Sequence, residues 1–460
     1  MSHGTGPLPV SAIASALLLA PSFALADCDH RFDATLETAW QQTRQAPFNA
    51  QNQQFRPRGT LKSALALDQH CRLGAGYTTH IKASLIGTLS TLEAGSEEIA
   101  SQAHVRTYLH EAYLTAEAPS DILIDIGKKD IHNGYLLFLS PMDIQRTPID
   151  PPVDGGIHTA GPSWRNTYRE GRIGVGASKF MDWGSLELAA FPALGARPGQ
   201  THLSQWKTRQ RSNGSGMVYA AYSANLWGSF NPKLVAHATS RQRHAVAIGV
   251  SDAMSDGVIF TLEAAHSSHS QVQRLAPDAV ALLLSGGFPQ GADVLQDTPG
   301  GSLQLALGVR ITGTRNITWI GEFYYQSDGY SNADWGRYFQ FVDATLGAYA
   351  ASRFQPYLDY QRLLLAAADS DQRRYLLLSR RYLTLGVERL PEGGGRMGWH
   401  ISALGNADDH SALLNLHMEY LLAPGATFYL GGRTVLNRRY SEFGRFGQSP
   451  LVYLGLNFSL

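Results

Sequence analysis

The sequence predicts an all-β chain, a transmembrane antiparallel up-and-down β-barrel of about 18 strands behind a short amino-terminal segment. Three observations predict it. Apolar residues recur with a period of two through most of the chain, the connections between such stretches are alternately short and long, and the chain ends inside one of them. In that last stretch, 450–460 (PLVYLGLNFSL), Val452, Leu454, Leu456, Phe458 and Leu460 alternate with Tyr453, Gly455, Asn457 and Ser459, giving one apolar face. A chain that ends inside a strand needs that strand paired and covered, because the last residues of soluble domains fray. The alternative is an ordinary edge strand of a soluble sheet. No run of 18 apolar residues follows the amino terminus, so no helical span is predicted. Barrel strands leave no such window.

Composition narrows the function classes. The 460 residues carry 38 basic and 38 acidic side chains, and a net charge of zero argues against a nucleic-acid partner. At the amino terminus, Val10 to Ala20 form an apolar core and Ala24-Leu25-Ala26 a small-x-small site, so 1–26 reads as a secretory signal cleaved after Ala26. No Lys or Arg precedes that core. Asp27 stands where a lipoprotein signal needs a small residue, so Cys28 is expected to carry no lipid. The only cysteines, Cys28 and Cys71, would both be exported, and an oxidising compartment favours a disulfide over a metal or redox site.

Taken in order, residues 33–45 place Leu36, Ala39 and Trp40 at helical spacing, and the stretch to about Thr60 reads as irregular. Residues 27–75 are therefore expected to be a periplasmic lead segment or small plug, with the barrel over 76–460. From Gly76 the period changes: Tyr77, Thr79, Ile81, Ala83, Leu85, Gly87 and Leu89 alternate with more polar residues over a length that suits a tilted span. Further strands are expected to begin near His104, Asp121, Arg165, Gly184, Gly216, Lys233, His244 and Gly257. Others follow near Ser302, Ile317, Arg337, Phe354, Tyr375, Met397, Ala412, Thr427 and Pro450. Connections 312–316, 350–353, 390–395 and 423–426 are short, whereas 327–336, 406–411 and 437–449 are longer, as in a barrel with turns on one side and loops on the other. Residues 266–301 are assigned to one long external loop containing a short helix or hairpin. Both termini then fall on the short-turn side.

The last strand resembles that of bacterial outer-membrane barrels, with Phe458 as the aromatic near the end and Leu460 where Phe is usual. A second likeness lies in 108–143, where Glu111, Ala112 and Tyr113 precede Gly127 and Lys128, then Gly134, then Ser140, Pro141 and Asp143. This run resembles alginate-export-like and porin-like barrels of Gram-negative bacteria, with Asn133 where those have Trp. The resemblance implies an outer-membrane channel, in contact with membrane lipid and lipopolysaccharide, that passes a hydrophilic solute such as a saccharide or polysaccharide. It also implies recognition by the barrel-assembly machinery through Phe458 and Leu460.

Residues 128–164 form a long connection containing Pro141, Pro148, Pro151, Pro152 and Pro162. Long, proline-stiffened loops in compact proteins are commonly functional, and this one is expected to fold into the barrel mouth and narrow it. The alternative is a surface loop packed on lipopolysaccharide. With apolar faces toward lipid, the inward set includes Lys82, Glu111, Arg172, Glu263, Arg310, Glu322, Asp359, Glu388, His417, Glu419 and Arg433. Charges of both signs favour a wet lumen, and the arginines suit anionic or hydroxylated solutes. Pairing of these charges across the lumen is the structural alternative. Two short strings suggest hydrolases acting on lipid or peptide: His266-Ser267-Ser268 and Asp408-Asp409-His410. Neither has recognisable partners in the sequence, so no enzyme, cofactor or metal is expected. A closed structural or receptor barrel is the other alternative.

Overall fold

The computed structural model describes residues 27–43, 46–49, 59–94, 98–143, 171–194, 213–226, 230–240, 243–270, 272–289, 294–298, 300–373, 377–391, 395–436 and 439–460. The expected signal, 1–26, and 144–164 of the long proline-bearing connection lie outside these. Eighteen strands form one antiparallel sheet closed on itself. Its first part comprises β1 (Asp27–Thr43), β2 (Gly59–Gly74), β3 (Tyr77–Ala94), β4 (Glu98–Ala118), β5 (Ile122–Lys129), β6 (Arg172–Met181), β7 (Gly184–Phe191), β8 (Met217–Ala224), β9 (Lys233–Thr239), β10 (His244–Ser255) and β11 (Val258–Ser267). A small hairpin, β12 (Gln273–Leu275) with β13 (Leu295–Asp297), brackets helix α1 (Pro277–Leu284) in the connection assigned from sequence to a long loop. The ring continues through β14 (Ser302–Thr312) and β15 (Ile317–Gln326). Helices α2 (Asn332–Ser352) and α3 (Gln355–Arg373) intervene before β16 (Arg381–Arg389), β17 (Met397–Asn406), β18 (Ala412–Ala423), β19 (Ala426–Leu436) and β20 (Gln448–Ser459).

Closure is between the two ends of the chain. β1 pairs with β20 from Asp33 opposite Ser459 to Trp40 opposite Val452. Phe32 and Leu460 exchange N–H···O bonds at 3.0 and 2.8 Å, so the last residue is held. A closed ring leaves no unpaired edge, which a membrane requires. The outer face is apolar: Leu303, Leu305, Leu307, Val309 and Ile311 of β14 are all exposed, while Ser302 and Ala306 of the other face are buried. Such a continuous apolar exterior is a lipid-facing surface.

Three expectations are corrected. Residues 27–75 form no lead segment or plug, because β1 and β2 are barrel strands paired from Asp27 opposite Arg72 to Trp40 opposite Gly59. The helix expected over 33–45 is β1. Leu36 and Trp40 stand four apart, a spacing that fits both a helical period and an even strand period, and pairing on both edges selects the strand. The strands expected near Arg337 and Phe354 are instead α2 and α3. A capping box between Ser331 and Asp334 starts α2, Arg353 in the left-handed region ends it, and Trp335, Tyr338, Phe339 and Val342 bury one helical face. Eighteen strands were expected and 18 are found because two missed at the start offset two misplaced ones.

The expected disulfide is present between Cys28 and Cys71, directly opposed residues of β1 and β2 with Cα atoms 4.1 Å apart. At the turn end Gly257 and Gly425 take positive φ in two-residue turns. At the other end α1, α2 and α3 make an outer cap with its own core, in which Phe48 from the β1–β2 connection packs with Val280, Leu283, Phe341, Val342 and Leu364.

Candidate functional site: an inward constriction

From the top of β5 the chain turns inward rather than continuing along the wall. Glu111 Oε1 accepts the Asp130 N–H at 2.9 Å, and a Cβ at Gly134 would collide with the Ser140 side chain, so only glycine allows the loop to fold back on itself there. Residues 130–143 are neither helix nor strand, so their buried N–H groups need acceptors from elsewhere. Two carboxylates on the wall supply them. Glu263 of β11 accepts from the N–H groups of Tyr135 (2.6 Å), Leu136 (3.1 Å) and Met142 (3.2 Å) and from the Ser140 hydroxyl (2.5 Å). Glu322 of β15 accepts from the N–H groups of Leu137 (2.7 Å), Phe138 (3.0 Å) and Leu139 (3.4 Å). Hydrogen bonds to an ionised acceptor are stronger than neutral ones.

Between these polar clasps the wall is notched by glycine. Met142 lies where a Cβ of Gly249 on β10 would stand, Leu136 occupies the corresponding place over Gly308 on β14, and Phe138 lies against Gly386 on β16. Phe138 also faces His400 of β17, with ring centroids 6.2 Å apart. The segment therefore begins at β5 and reaches β16 and β17, half-way round the ring. Its two ends pack on the inner faces of β7 to β11, where Ile131 and Met142 join Phe191, Met217, Tyr219 and Val235. Asn133 Oδ1 accepts from the Tyr219 hydroxyl at 2.9 Å.

Of the residues singled out from sequence, the fold brings Glu111, Gly134, Ser140, Glu263 and Glu322 to this segment. Glu388 sits beside His400 (3.9 Å) on the inner wall near Phe138. Pro141 and Asp143 are buried at the segment's end, with His132 Nδ1 3.5 Å from the Asp143 carboxylate. Gly127 has φ of 136° where β5 packs on Tyr113, and Lys128 donates to the Leu109 carbonyl (2.6 Å), so both serve the β4–β5 seam rather than the passage. Lys82 lies 3.9 Å from Asp68 on the wall nearer the short turns, beside His80, whose Nε2 is 2.7 Å from Asp68. Arg172, at the top of β6, has a buried Nε and Nη1 with no hydrogen-bond partner among the described residues. Arg310 shares the inward face of β14 with Gly308. His417 meets the Tyr453 hydroxyl at 3.0 Å, Glu419 packs on Gly398, and Arg433 shares the face of Tyr429 and Gly431. Asp359 is a correction: it lies on the exposed face of α3, bonded to Arg362 at 3.2 Å, because that stretch is helix and not barrel wall.

The two hydrolase-like strings have structural uses. Ser267 Oγ donates to the His269 carbonyl, and Ser268 Oγ accepts the His244 N–H. Asp408 binds Arg381 at 2.7 Å, and Asp409 accepts from Ser411 and from the Glu442 N–H. Sequence reasoning missed Gly249, Gly308, Gly386, Tyr219 and His400. The available signal was glycine at inward positions of otherwise regular strands, which marks a close approach.

Solved structures share the fold. Acinetobacter baumannii OccAB1 is 10% identical over 94% of this chain and 96% of that one, with a TM-score of 0.51. Pseudomonas aeruginosa OccK5 (OpdH) is 8% identical over 94% and 98%, at 0.49, and P. aeruginosa OccD3 (OpdP) is 10% identical over 94% and 91%, at 0.47. No family model and no curated protein matches the chain. At such identities the likeness is one of fold alone. A closed barrel with an apolar exterior is an outer-membrane architecture, and the outer membrane is where this chain resides.

Proposed function

We propose that the protein is a porin-like channel whose passage is narrowed by residues 130–143 and which passes a small hydrophilic solute. The observation that carries this reading is the capture of that segment across the lumen by Glu263 and Glu322. A surface loop would leave those two carboxylates facing water. Lys82, Arg172, Arg310, His417, Glu419 and Arg433 would then charge the wall on either side of the constriction, with Arg groups suited to carboxylate, sulfate or phosphate. A saccharide or polysaccharide cargo, and kinship with alginate-export-like barrels, rest on the motif from Glu111 to Asp143 and on the arginines of the lumen. The solved structures named above share the fold and add nothing to these two grounds. Phe458 and Leu460, exposed on the outer face of the closing strand, are the residues through which the assembly machinery would recognise the chain. Lipid and lipopolysaccharide would surround the barrel.

The test is conductance of the refolded protein in a planar bilayer with uronic-acid and neutral oligosaccharides added in turn. Steady conductance supports the channel, and block by one sugar class supports that cargo. Absence of conductance from a heat-modifiable, folded barrel contradicts the channel and favours a closed structural or receptor barrel.

A further inference from the structure

Outside the constriction, several rim connections converge on one buried carboxylate. Glu442, in the β19–β20 connection, accepts from the Leu378 N–H (2.8 Å), the Ser379 hydroxyl (3.1 Å), the Tyr382 hydroxyl (2.6 Å) and Asn406 Nδ2 (2.7 Å). Its own N–H donates to Asp409 of the β17–β18 turn. Trp335 Nε1 of α2 donates to Ser379 Oγ at 2.7 Å, which ties the helical cap to the same knot. Phe48 N–H donates to the Arg445 carbonyl, which adds the β1–β2 connection. The charged groups around Glu442 are Asp409 and Arg445, with the Arg381–Asp408 pair alongside.

Tyr382, the second residue of β16, belongs to both this knot and the constriction. It is fully buried. Its hydroxyl donates to Glu442 and accepts the Ser379 N–H at 2.5 Å. Its ring stands 6.3 Å from that of Tyr324, in one apolar cluster with Leu136 and Leu139 of the inward segment and Leu377 and Phe443 of the cap's base. One side chain thus reaches the cap through the hydrogen bonds of its hydroxyl to Glu442 and Ser379, and shares an apolar cluster with the constriction through its ring. A close-packed cluster of this kind transmits displacement instead of absorbing it.

We infer that Tyr382 is a positioning residue that couples the outer cap to the constriction, so that loosening the cap widens the passage and loosening the constriction frees the cap. The inference rests on residues 130–143 being the constriction of a channel. Coupling between sites is reciprocal, which gives two independent tests.

The first is single-channel recording of Tyr382→Phe, which removes the hydroxyl and keeps the ring. The hydroxyl makes two hydrogen bonds, and the loss of even one of typical net strength corresponds to roughly a threefold to tenfold change in an opening equilibrium. Tyr382→Phe is therefore expected to raise the frequency of high-conductance openings by about that factor and to speed hydrogen exchange at the Leu378 and Ser379 amides. The second is Leu136→Ala, made in the constriction and read at the cap, where the same two amides should exchange faster by a similar factor. Faster exchange in Tyr382→Phe with unaltered traces overturns the coupling, since a merely structural hydroxyl would give that result. Unchanged exchange at both amides in Leu136→Ala overturns it as well. A wild-type protein that does not conduct defeats the channel reading instead, and the exchange arm still decides whether cap and segment are linked.

Discussion

Glu263 and Glu322 show how single residues place the constriction. Gln at 322 would turn an amide nitrogen toward the Phe138 or Leu137 N–H, so Glu322→Gln loses charge-assisted hydrogen bonds worth about 1.5–3 kcal/mol and should release residues 137–139. Faster hydrogen exchange at those amides is the expected outcome. Gly308→Val places a branched side chain where Leu136 sits, and overpacking of about 1–3 kcal/mol should lower the temperature of heat modification on gels. Outside the membrane span, burial pushes the Glu442 carboxyl from its ordinary 4.5 up to about 7, with Arg445 acting the other way and Asp409 adding to the rise. An acid whose pKa is higher in the folded state holds its proton there longer than when unfolded. The stability that this one group contributes to the cap is therefore fully present below about 4.5 and is lost as pH rises toward about 7. Cap exchange, corrected for intrinsic rates, should accelerate across that window, and Glu442→Gln should flatten the profile.

Individual elements were legible where pattern and pairing agree. β14 and β20 read correctly because their alternation is unbroken and nothing competes with it. β1 did not, because Leu36 and Trp40 satisfy two periods at once and the partner strands that decide between them are non-local. Helix α2 was mistaken for a strand although Ser331 and Asp334 form a capping box at its start, a signal present in the sequence. Ser331→Ala should cost the cap about 1 kcal/mol, seen as earlier loss of helical signal on heating, with the barrel unaffected. The Cys28–Cys71 bridge joins strands already paired, at a sequence separation of 43. Cys71→Ala is expected to destabilise the barrel by about 2–4 kcal/mol, again read from heat modification.

For the molecule as a whole, closure and topology followed from the final strand and from the alternation of short and long connections. Those features arise locally and are visible in sequence. The constriction was legible as a loop, through its prolines and the run from Glu111 to Asp143. Its seat was not, because Gly249, Gly308, Gly386, Glu263 and Glu322 come from five strands and acquire meaning only when the ring brings them to one wall. The cap was hidden for a related reason, since its core draws on the β1–β2, β11–β14 and β15–β16 connections together. The measurement that bears most directly on the central claim is the single-channel conductance of Glu263→Gln/Glu322→Gln beside the wild type, in the same bilayer and salt. A larger and noisier conductance in the variant is the predicted result, because the inward segment would lose its clasps. Equal conductance, with the segment shown by hydrogen exchange to be released, would contradict the account.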